Sequence, residues 1–290
     1  MTTSTLSLPG GTWALGDLTV TRFGYGAMQL AGPWVMGPPA DPEAALAVLR
    51  AAVELGITHV DTSAAYGPHV TNELIRTALH PYPEDLLIAT KVGADRDGQG
   101  GWPTARSAHD LRRQVHENLD GLGVDRLDLV NLRMGDAEGP RPGSPAEAFA
   151  TLVELQQQGL IRHFGLSNVT AEQVAEARAV GTVVCVQNLY NLAHRHDDDL
   201  VDALAADGIA YVPFFPLGGF TPLQSETLAG VAARLGATRM SVALAWLLQR
   251  SPNVLLIPGT SSAAHLRENV AGAGLVLSDE DVAELDGIGR

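Results

Sequence analysis

Residues 58–67 read THVDTSAAYG: a short apolar run ends in a carboxylate, and a polar loop containing a tyrosine follows. Similar short apolar runs occur at residues 22–26, 86–90, 127–132, 163–166, 183–187, 210–213 and 254–257. Segments of helical period separate these runs. Alternation of this kind is typical of parallel strands, because each strand needs a long crossover, usually a helix, to reach the next. Eight such units predict an α/β protein with a (β/α)8 barrel, the TIM-barrel architecture.

The segments between the apolar runs carry the signals of helices. Leu111, Val115 and Leu119 recur every four residues and place one apolar stripe against the sheet. Thr170 is followed three residues later by a glutamine, which is the spacing of a capping box at a helix start. Gly181 stands where a left-handed glycine commonly ends a helix. These signals support crossover helices between the predicted strands.

Residues 12–22 contain the turn Leu15-Gly16-Asp17 between two strand-like pieces, which predicts an N-terminal β-hairpin capping one end of the barrel. A doubly wound sheet is the alternative architecture. However, residues 24–29 read GYGAMQ and lack the third glycine of a dinucleotide fingerprint. The sequence also contains no Gly-Lys pair and hence no Walker loop. No shift in composition marks a boundary, so residues 1–290 are expected to form a single domain.

Composition argues against several classes of function. The net charge of −14 disfavours nucleic acid as a partner, because phosphates would require clustered lysines and arginines. Cys185 is the only cysteine, which excludes an internal disulfide and a zinc site made of cysteines. The acidic residues 197–199 are typical of a helix start rather than of a metal site, so no metal is predicted. The sequence shows no secretory signal and no apolar run of membrane-spanning length, which favours a cytoplasmic protein without a membrane partner.

Three polar side chains follow neighbouring strands of the predicted barrel. Asp61 follows the second apolar run, Tyr66 lies five residues later, and Lys91 follows the third run. Catalytic groups of (β/α)8 barrels come from the loops after the strands, so these side chains are expected to meet. A nearby ammonium favours ionisation of a phenol, and a carboxylate would hold that ammonium in place. Together the three predict a proton donor for a carbonyl oxygen, although each residue taken singly also fits a structural role.

These residues resemble the catalytic set of the aldo-keto reductases, in which an aspartate, a tyrosine followed by glycine and a lysine occur in this order. The strings GLSN (165–168), QN (187–188), PLGG (216–219) and the stretch 257–269 are similar to the cofactor segments of that family. The resemblance covers residues 22–277. Within the family, the strings GAMQLAGP, YGPHVTN, VNLR and PFFPLGGFTP are similar to those of the bacterial pyridoxal reductases.

The resemblance implies an NADPH-dependent (NADP+-forming) reductase in which Tyr66 is the general acid, Lys91 its partner and Asp61 the support. It also implies a cofactor site. The nicotinamide would be held by Ser167, Asn168 and Gln187 and stacked on Phe214; the pyrophosphate by the backbone at Pro216, Leu217 and Gly218; the 2′-phosphate by Thr260, Ser261, Ser262, His265 and Arg267; and adenine by Glu268 and Asn269. His265 stands where many relatives carry arginine, so its charge would fade as pH rises, weakening but not reversing the preference for NADPH over NADH.

Arg133 stands where most of the family has a catalytic histidine. A guanidinium is always charged and cannot shuttle a proton. It can donate to the carbonyl oxygen or bind an anionic group of the substrate, such as the acidic ring hydroxyl of pyridoxal. The alternative is an ion pair with Asp136 that only shapes the pocket. Trp34 and Met36, in the loop after the first strand, are candidates for an apolar wall of the substrate pocket or for a loop that merely covers the surface.

Three functions stay open from the sequence. The first is reduction of pyridoxal to pyridoxine, with slower use of other aromatic aldehydes. The second is reduction of another small aldehyde, a ketone or a sugar. The third is a nucleotide sensor that binds NADPH and hardly turns it over, which the replacement of histidine by Arg133 keeps open. The partner in the first case is a small aldehyde, and the sequence does not indicate an oligomeric state.

Overall fold

The structure is a computed structural model that describes residues 8–136, 138–216, 218–219 and 223–289. Its strands are β1 (Thr12–Leu15), β2 (Leu18–Thr21), β3 (Tyr25–Gly26), β4 (His59–Asp61), β5 (Leu87–Ala94), β6 (Thr104–Ala105), β7 (Leu127–Arg133), β8 (Ile161–Ser167), β9 (Val183–Gln187) and β10 (Ala210–Tyr211). Its helices are α1 (Pro42–Glu54), α2 (Val70–Leu79), α3 (Ala108–Leu122), α4 (Ala146–Gln157), α5 (Ala171–Arg178), α6 (Asp198–Ala206), α7 (Glu226–Arg234), α8 (Arg239–Arg250), α9 (Ala263–Ala273) and α10 (Asp279–Asp286).

The parallel sheet closes into a barrel. Its strand order is β10-β9-β8-β7-β5-β4-β3. A segment at residues 254–258 lies between the two edges and bridges to both. The Leu255 amide donates to the Tyr211 carbonyl at 2.9 Å, and the Leu256 amide donates to the Arg22 carbonyl at 2.7 Å. This segment, formed by the last predicted apolar run, takes the place of the eighth barrel strand. The predicted (β/α)8 fold is therefore confirmed.

The helices form a ring around the barrel. α1 to α6 follow β3, β4, β5, β7, β8 and β9 in turn, and α9 packs against both α8 and α1, which completes the ring. α7 and α10 pack on each other outside this ring. Within the described ranges, no single helix has the length and apolar composition to cross a membrane. The pair α7 and α8 together reaches that length and composition but is bent by 93° at the break between them.

The predicted helix signals are largely confirmed. The stripe of Leu111, Val115 and Leu119 is buried on one face of α3, and Thr170 caps α5 in a capping box. The interpretation of Gly181 was wrong, because α5 ends at Arg178 and its capping residue keeps a right-handed conformation. Gly181 serves packing instead: a Cβ there would lie 2.9 Å from the Val153 side chain.

The hairpin formed by β1 and β2 closes one end of the barrel. Leu15 and Val20 are buried in a cluster with inward side chains of the barrel, among them Leu87 and Leu129. Asp17 in the turn accepts a hydrogen bond from Arg162 near the start of β8 at 2.8 Å. The prediction of a capping hairpin is therefore confirmed, and the N-terminal ends of the strands are covered.

Candidate active site at the open end of the barrel

The predicted catalytic side chains lie at the other end, where the parallel strands finish. Asp61 is the last residue of β4 and Arg133 the last of β7, while Lys91 lies within β5. The register aligns Arg133 with Ser167, and Ser167 with Gln187, across neighbouring strands. Polar groups distant in sequence are thus brought to one rim by strand pairing alone.

Asp61 and Lys91 form a buried ion pair. The Lys91 Nζ lies 2.5 Å from Asp61 Oδ1, and the two side chains are only 7% and 5% exposed. The ammonium also donates to the Thr62 carbonyl at 3.0 Å. Burial by itself lowers the pKa of Lys91, but the charges of Asp61 and Tyr66 raise it, and the net pKa lies above its usual value. Lys91 is therefore a cation at neutral pH.

Tyr66 lies beside this pair. The Lys91 Nζ is 5.2 Å from the centroid of the Tyr66 ring, and the tyrosine is 4% exposed. A tight turn positions the ring, because the Tyr66 amide donates to the Ser63 carbonyl at 3.0 Å and Gly67 takes a positive φ of 91°. Val35 and Trp102 pack around it in a small apolar cluster.

Gln187 is one of the cofactor residues that the family resemblance implies, and it also contacts the buried ion pair. Its Nε2 donates to Asp61 Oδ2 at 2.9 Å across the barrel. Asp61 therefore accepts hydrogen bonds on both carboxylate oxygens, one from Lys91 and one from Gln187. This arrangement fixes the orientation of the carboxylate and, through it, the position of the ammonium.

Arg133 lies next to Trp102 rather than to Asp136. Its Cζ is 5.0 Å from the centroid of the Trp102 ring, and its Nε is buried without a hydrogen-bond partner. Asp136 pairs with Arg141 instead, at 2.7 Å. The alternative of an Arg133–Asp136 ion pair is therefore wrong.

Trp102 was missed by the sequence reasoning. It lies in the loop between β5 and β6 and meets Tyr66 edge-on, with ring centroids 6.2 Å apart. The available signal was a tryptophan directly after a glycine-rich stretch, residues 98–101, in a loop that follows a barrel strand. Loops at that end of a barrel carry the site.

Ser167 and Asn168 lie at the end of β8 with unused hydrogen-bonding capacity. The Ser167 Oγ and the Asn168 Oδ1 are buried and have no hydrogen-bond partner. The Asn168 backbone takes a positive φ of 55°, its backbone amide donates to the Gln187 carbonyl at 3.0 Å, and its side-chain Nδ2 donates to the Asp136 carbonyl. Unpaired buried polar atoms are costly, so a bound polar group at this place would be stabilised.

The remaining cofactor residues implied by the resemblance lie in two later loops. Phe214, Pro216 and Gly218 are partly buried after β10, whereas Leu217 lies outside the described residues. In the last loop, Thr260 and Asn269 are buried, Ser262 caps α9, and Ser261, His265, Arg267 and Glu268 are exposed at its N-terminal part. Hydroxyl groups and the guanidinium of Arg267 near a helix N-terminus suit an anion.

Trp34 and Met36, the candidates for the substrate wall, differ in exposure and in distance from the tyrosine turn. Trp34 is 81% exposed and has a positive φ of 60°. Met36 is half-buried and pairs through its backbone with Gly67, the residue after Tyr66. Met36 thus lies nearer to the tyrosine turn, while Trp34 projects from the rim, and their role as a substrate wall stays a prediction.

The chain also matches known proteins over most of its length. Residues 22–290 match the model of the aldo/keto reductase family. The chain is 62% identical over 285 residues to pyridoxine 4-dehydrogenase of Escherichia coli (strain K12), covering 98% of this chain and 100% of that protein. A solved thermostable aldo-keto reductase bound to the inhibitor epalrestat superimposes with a TM-score of 0.80 at 32% identity, covering 95% of this chain and 98% of that one. An aldo-keto reductase from Klebsiella pneumoniae in complex with NADPH gives a TM-score of 0.78 at 26% identity, covering 95% and 93%. The chain therefore belongs to the aldo/keto reductase family.

Proposed function

We propose that this protein reduces pyridoxal to pyridoxine with NADPH, in one catalytic domain, and that Tyr66 supplies the proton. The observation that carries the proposal is the buried Lys91–Asp61 ion pair, 2.5 Å between the charged atoms, directly beside Tyr66 at the open end of the barrel. The near full-length identity to a pyridoxine 4-dehydrogenase supports the choice of substrate.

The residues present fit a nicotinamide dinucleotide. The unpaired Ser167 Oγ and Asn168 Oδ1 suit the amide hydrogens of a carboxamide. Ser262, His265 and Arg267 suit a phosphate at the start of α9, which favours NADPH over NADH. When bound, the dinucleotide supplies the hydride that reaches the carbonyl carbon.

Tyr66 completes the reduction at the carbonyl oxygen. As that oxygen gains negative charge, the phenol donates its proton, and the product is an alcohol. Lys91 stabilises the phenolate that is left behind, because its ammonium stays charged beside Asp61. Arg133 adds a fixed positive charge to the pocket and cannot itself shuttle a proton.

The proposal is tested by a steady-state screen with NADPH and NADH side by side. Pyridoxal, nitrobenzaldehyde, methylglyoxal and aldoses are compared by kcat/KM, and pyridoxal with NADPH is expected to rank first. Tyr66→Phe is expected to lower kcat by about 100-fold or more, since it removes the general acid, while NADPH binding measured by fluorescence is retained. A low rank for pyridoxal would exclude it as the substrate, and strong residual turnover by Tyr66→Phe would exclude Tyr66 as the acid.

A single-turnover measurement separates an enzyme from a nucleotide sensor. The protein is loaded with NADPH, pyridoxal is added, and the fluorescence of the bound nucleotide is followed. Rapid decay is expected for a reductase. A signal that persists while NADPH stays bound would favour the sensor.

A further inference from the structure

A cluster of two arginines and a tryptophan lies beside Tyr66 and takes no part in holding Lys91. We name Arg96, Trp102 and Arg133 the double-arginine cluster. The guanidinium carbons of Arg96 and Arg133 lie 4.1 Å and 5.0 Å from the centroid of the Trp102 ring, within the range of cation–π contacts. Because Trp102 also contacts Tyr66 edge-on, the cluster forms part of the wall around the proposed proton donor.

The loop that carries Arg96 and Trp102 is fixed by its own contacts. β6 pairs with the end of β5 and ties the base of the loop to the barrel. Within the loop, Asp97 Oδ1 accepts hydrogen bonds from the backbone amides of residues 99 and 101 at 2.9 and 2.6 Å. The cluster is therefore preorganised, which lowers the entropic cost of binding a ligand.

Arg96 joins this loop to the loop after the first barrel strand. Its guanidinium donates to the Gly100 carbonyl at 2.6 Å and to the Trp34 carbonyl at 2.7 Å. The next residue, Val35, packs against Tyr66. Two loops from different strands are thus held together on one side of the tyrosine.

Neither guanidinium of the cluster forms an ion pair with a carboxylate of the residues that the structure describes. Asp95 pairs with Arg113 at 2.6 Å and Asp136 with Arg141 at 2.7 Å. Asp97 accepts hydrogen bonds from the backbone of its own loop and acts on Arg96 through its charge, without an ion pair. No ion pair forms at Arg96 or Arg133 among the described residues, although the protein carries a net charge of −14. Two guanidinium groups that contact one indole ring and have no ion-pair partner, in an acidic protein, indicate a place prepared for a negative charge.

The unused hydrogen-bond donors of Arg96 and Arg133 also favour a bound anion. The Nε atoms of Arg96 and Arg133 are both buried without a partner. Burial lowers the pKa of the Arg96 guanidinium, and the charge of Arg133 lowers it further, against the opposing effect of Asp97. An oxyanion between the two groups would relieve their repulsion and satisfy donors that are otherwise unused.

We propose that the double-arginine cluster is a subsite for an oxyanion of the substrate: the ionised hydroxyl next to the aldehyde in an aromatic 2-hydroxyaldehyde. The inference rests on the proposed function, because pyridoxal belongs to that chemical class. The guanidinium groups hold the ring oxygen, and the neighbouring carbonyl is then directed toward Tyr66. The subsite thus determines which aldehydes are preferred and is separate from the proton donor.

The test compares two aldehydes with NADPH. One is 5-nitrosalicylaldehyde, whose ring hydroxyl is ionised near pH 7, and the other is 3-nitrobenzaldehyde, which carries no charge next to the carbonyl. For Arg96→Met, the ratio of kcat/KM between the charged and the uncharged substrate is expected to fall by about 10–100-fold, mainly through KM, as for loss of a hydrogen bond to a charged group. Salicylate, used as a dead-end inhibitor, is expected to bind about 10-fold more weakly to the variant.

Arg112→Met is the matched control. Arg112 lies on α3 and pairs with Glu154, so the substitution removes the same charge without touching the pocket. The substrate ratio is expected to stay at the wild-type value. An equal fall in this control would assign the effect to the overall charge and overturn the subsite. Equal losses for both aldehydes in Arg96→Met would also overturn it, because they indicate a structural role for the loop. A wild-type protein that reduces neither aldehyde nor pyridoxal contradicts the proposed function instead.

Discussion

Asp61→Asn preserves the shape of the side chain but removes the charge that faces Lys91. In the native protein the two charged atoms are 2.5 Å apart and both side chains are buried. At an effective dielectric constant of about 20, unit charges at this separation attract by roughly 6–7 kcal/mol. Relaxation of the ammonium recovers part of this energy. We therefore expect the free energy of unfolding to fall by about 3–5 kcal/mol at pH 7.

A double-mutant cycle isolates the pair. Lys91→Met leaves the charge of Asp61 unpaired and is expected to be similarly destabilising, whereas Asp61→Asn combined with Lys91→Met leaves no charge at either position. The double variant should then cost much less than the two single variants together. The measurement is urea unfolding followed by tryptophan fluorescence, with midpoints and m-values compared across the four proteins.

The pH dependence of the single variant gives a second measurement. In the native protein the pKa of Lys91 is raised above its ordinary value of 10.5, so its stabilising effect is complete below pH 10.5 and is lost as pH rises through the folded-state pKa. In Asp61→Asn, burial is no longer opposed by Asp61 and lowers the pKa of the lysine. The variant should therefore regain stability as pH rises toward 10.5. Single losses below about 1 kcal/mol, or a double variant that loses the full sum, would refute the reasoning.

Three further predictions concern groups outside this pair. Burial lowers the pKa of His59 from 6.5 to about 4, so the free energy of unfolding should fall by about 3 kcal/mol as pH drops through that range. Urea titrations of His59→Asn should lack this part of the pH dependence. Gly165→Ala places a Cβ 1.9 Å from Asn131 Oδ1 and should cost about 1–3 kcal/mol in thermal unfolding, whereas Gly230→Ala, with open space inside α7, should stabilise by about 0.5–1 kcal/mol. Ser107→Ala removes the capping box of α3 and should cost about 0.5–2 kcal/mol in thermal unfolding, whereas Ser107→Thr keeps the hydroxyl that donates to Asp110 and should retain most of the stability.

The barrel and the rim of polar groups could be predicted because both follow from local patterns. Strand pairing in register places the residue at the end of each parallel strand on the same edge, so Asp61, Arg133 and Gln187 needed no knowledge of the loops. The segment in the eighth strand position was also predictable. It joins its neighbours through isolated bridges, but its sequence keeps the short apolar run that is typical of a barrel strand.

Contacts made between distant loops could not be predicted in the same way. Arg96 reaches the carbonyl of Trp34, and Gln187 reaches Asp61 across 126 residues, and neither contact leaves a periodic trace in the sequence. Gly181 shows the opposite failure. A glycine after a helix suggested a cap, but its reason is the closeness of the α4 side chain Val153, which depends on tertiary packing.

The hairpin of β1 and β2, which closes one end of the barrel, has a consequence for the entry and release of ligands. In the part of the chain that the structure describes, Leu15 and Val20 pack into that end of the barrel, so we expect cofactor and substrate to reach Tyr66 from the opposite end and to leave by it. Two molecules that use the same opening cannot bind independently, because the one nearer to the opening blocks entry and release of the one that lies deeper. We therefore expect an order of binding and release that is set by the shape of the site, before any difference in affinity is considered.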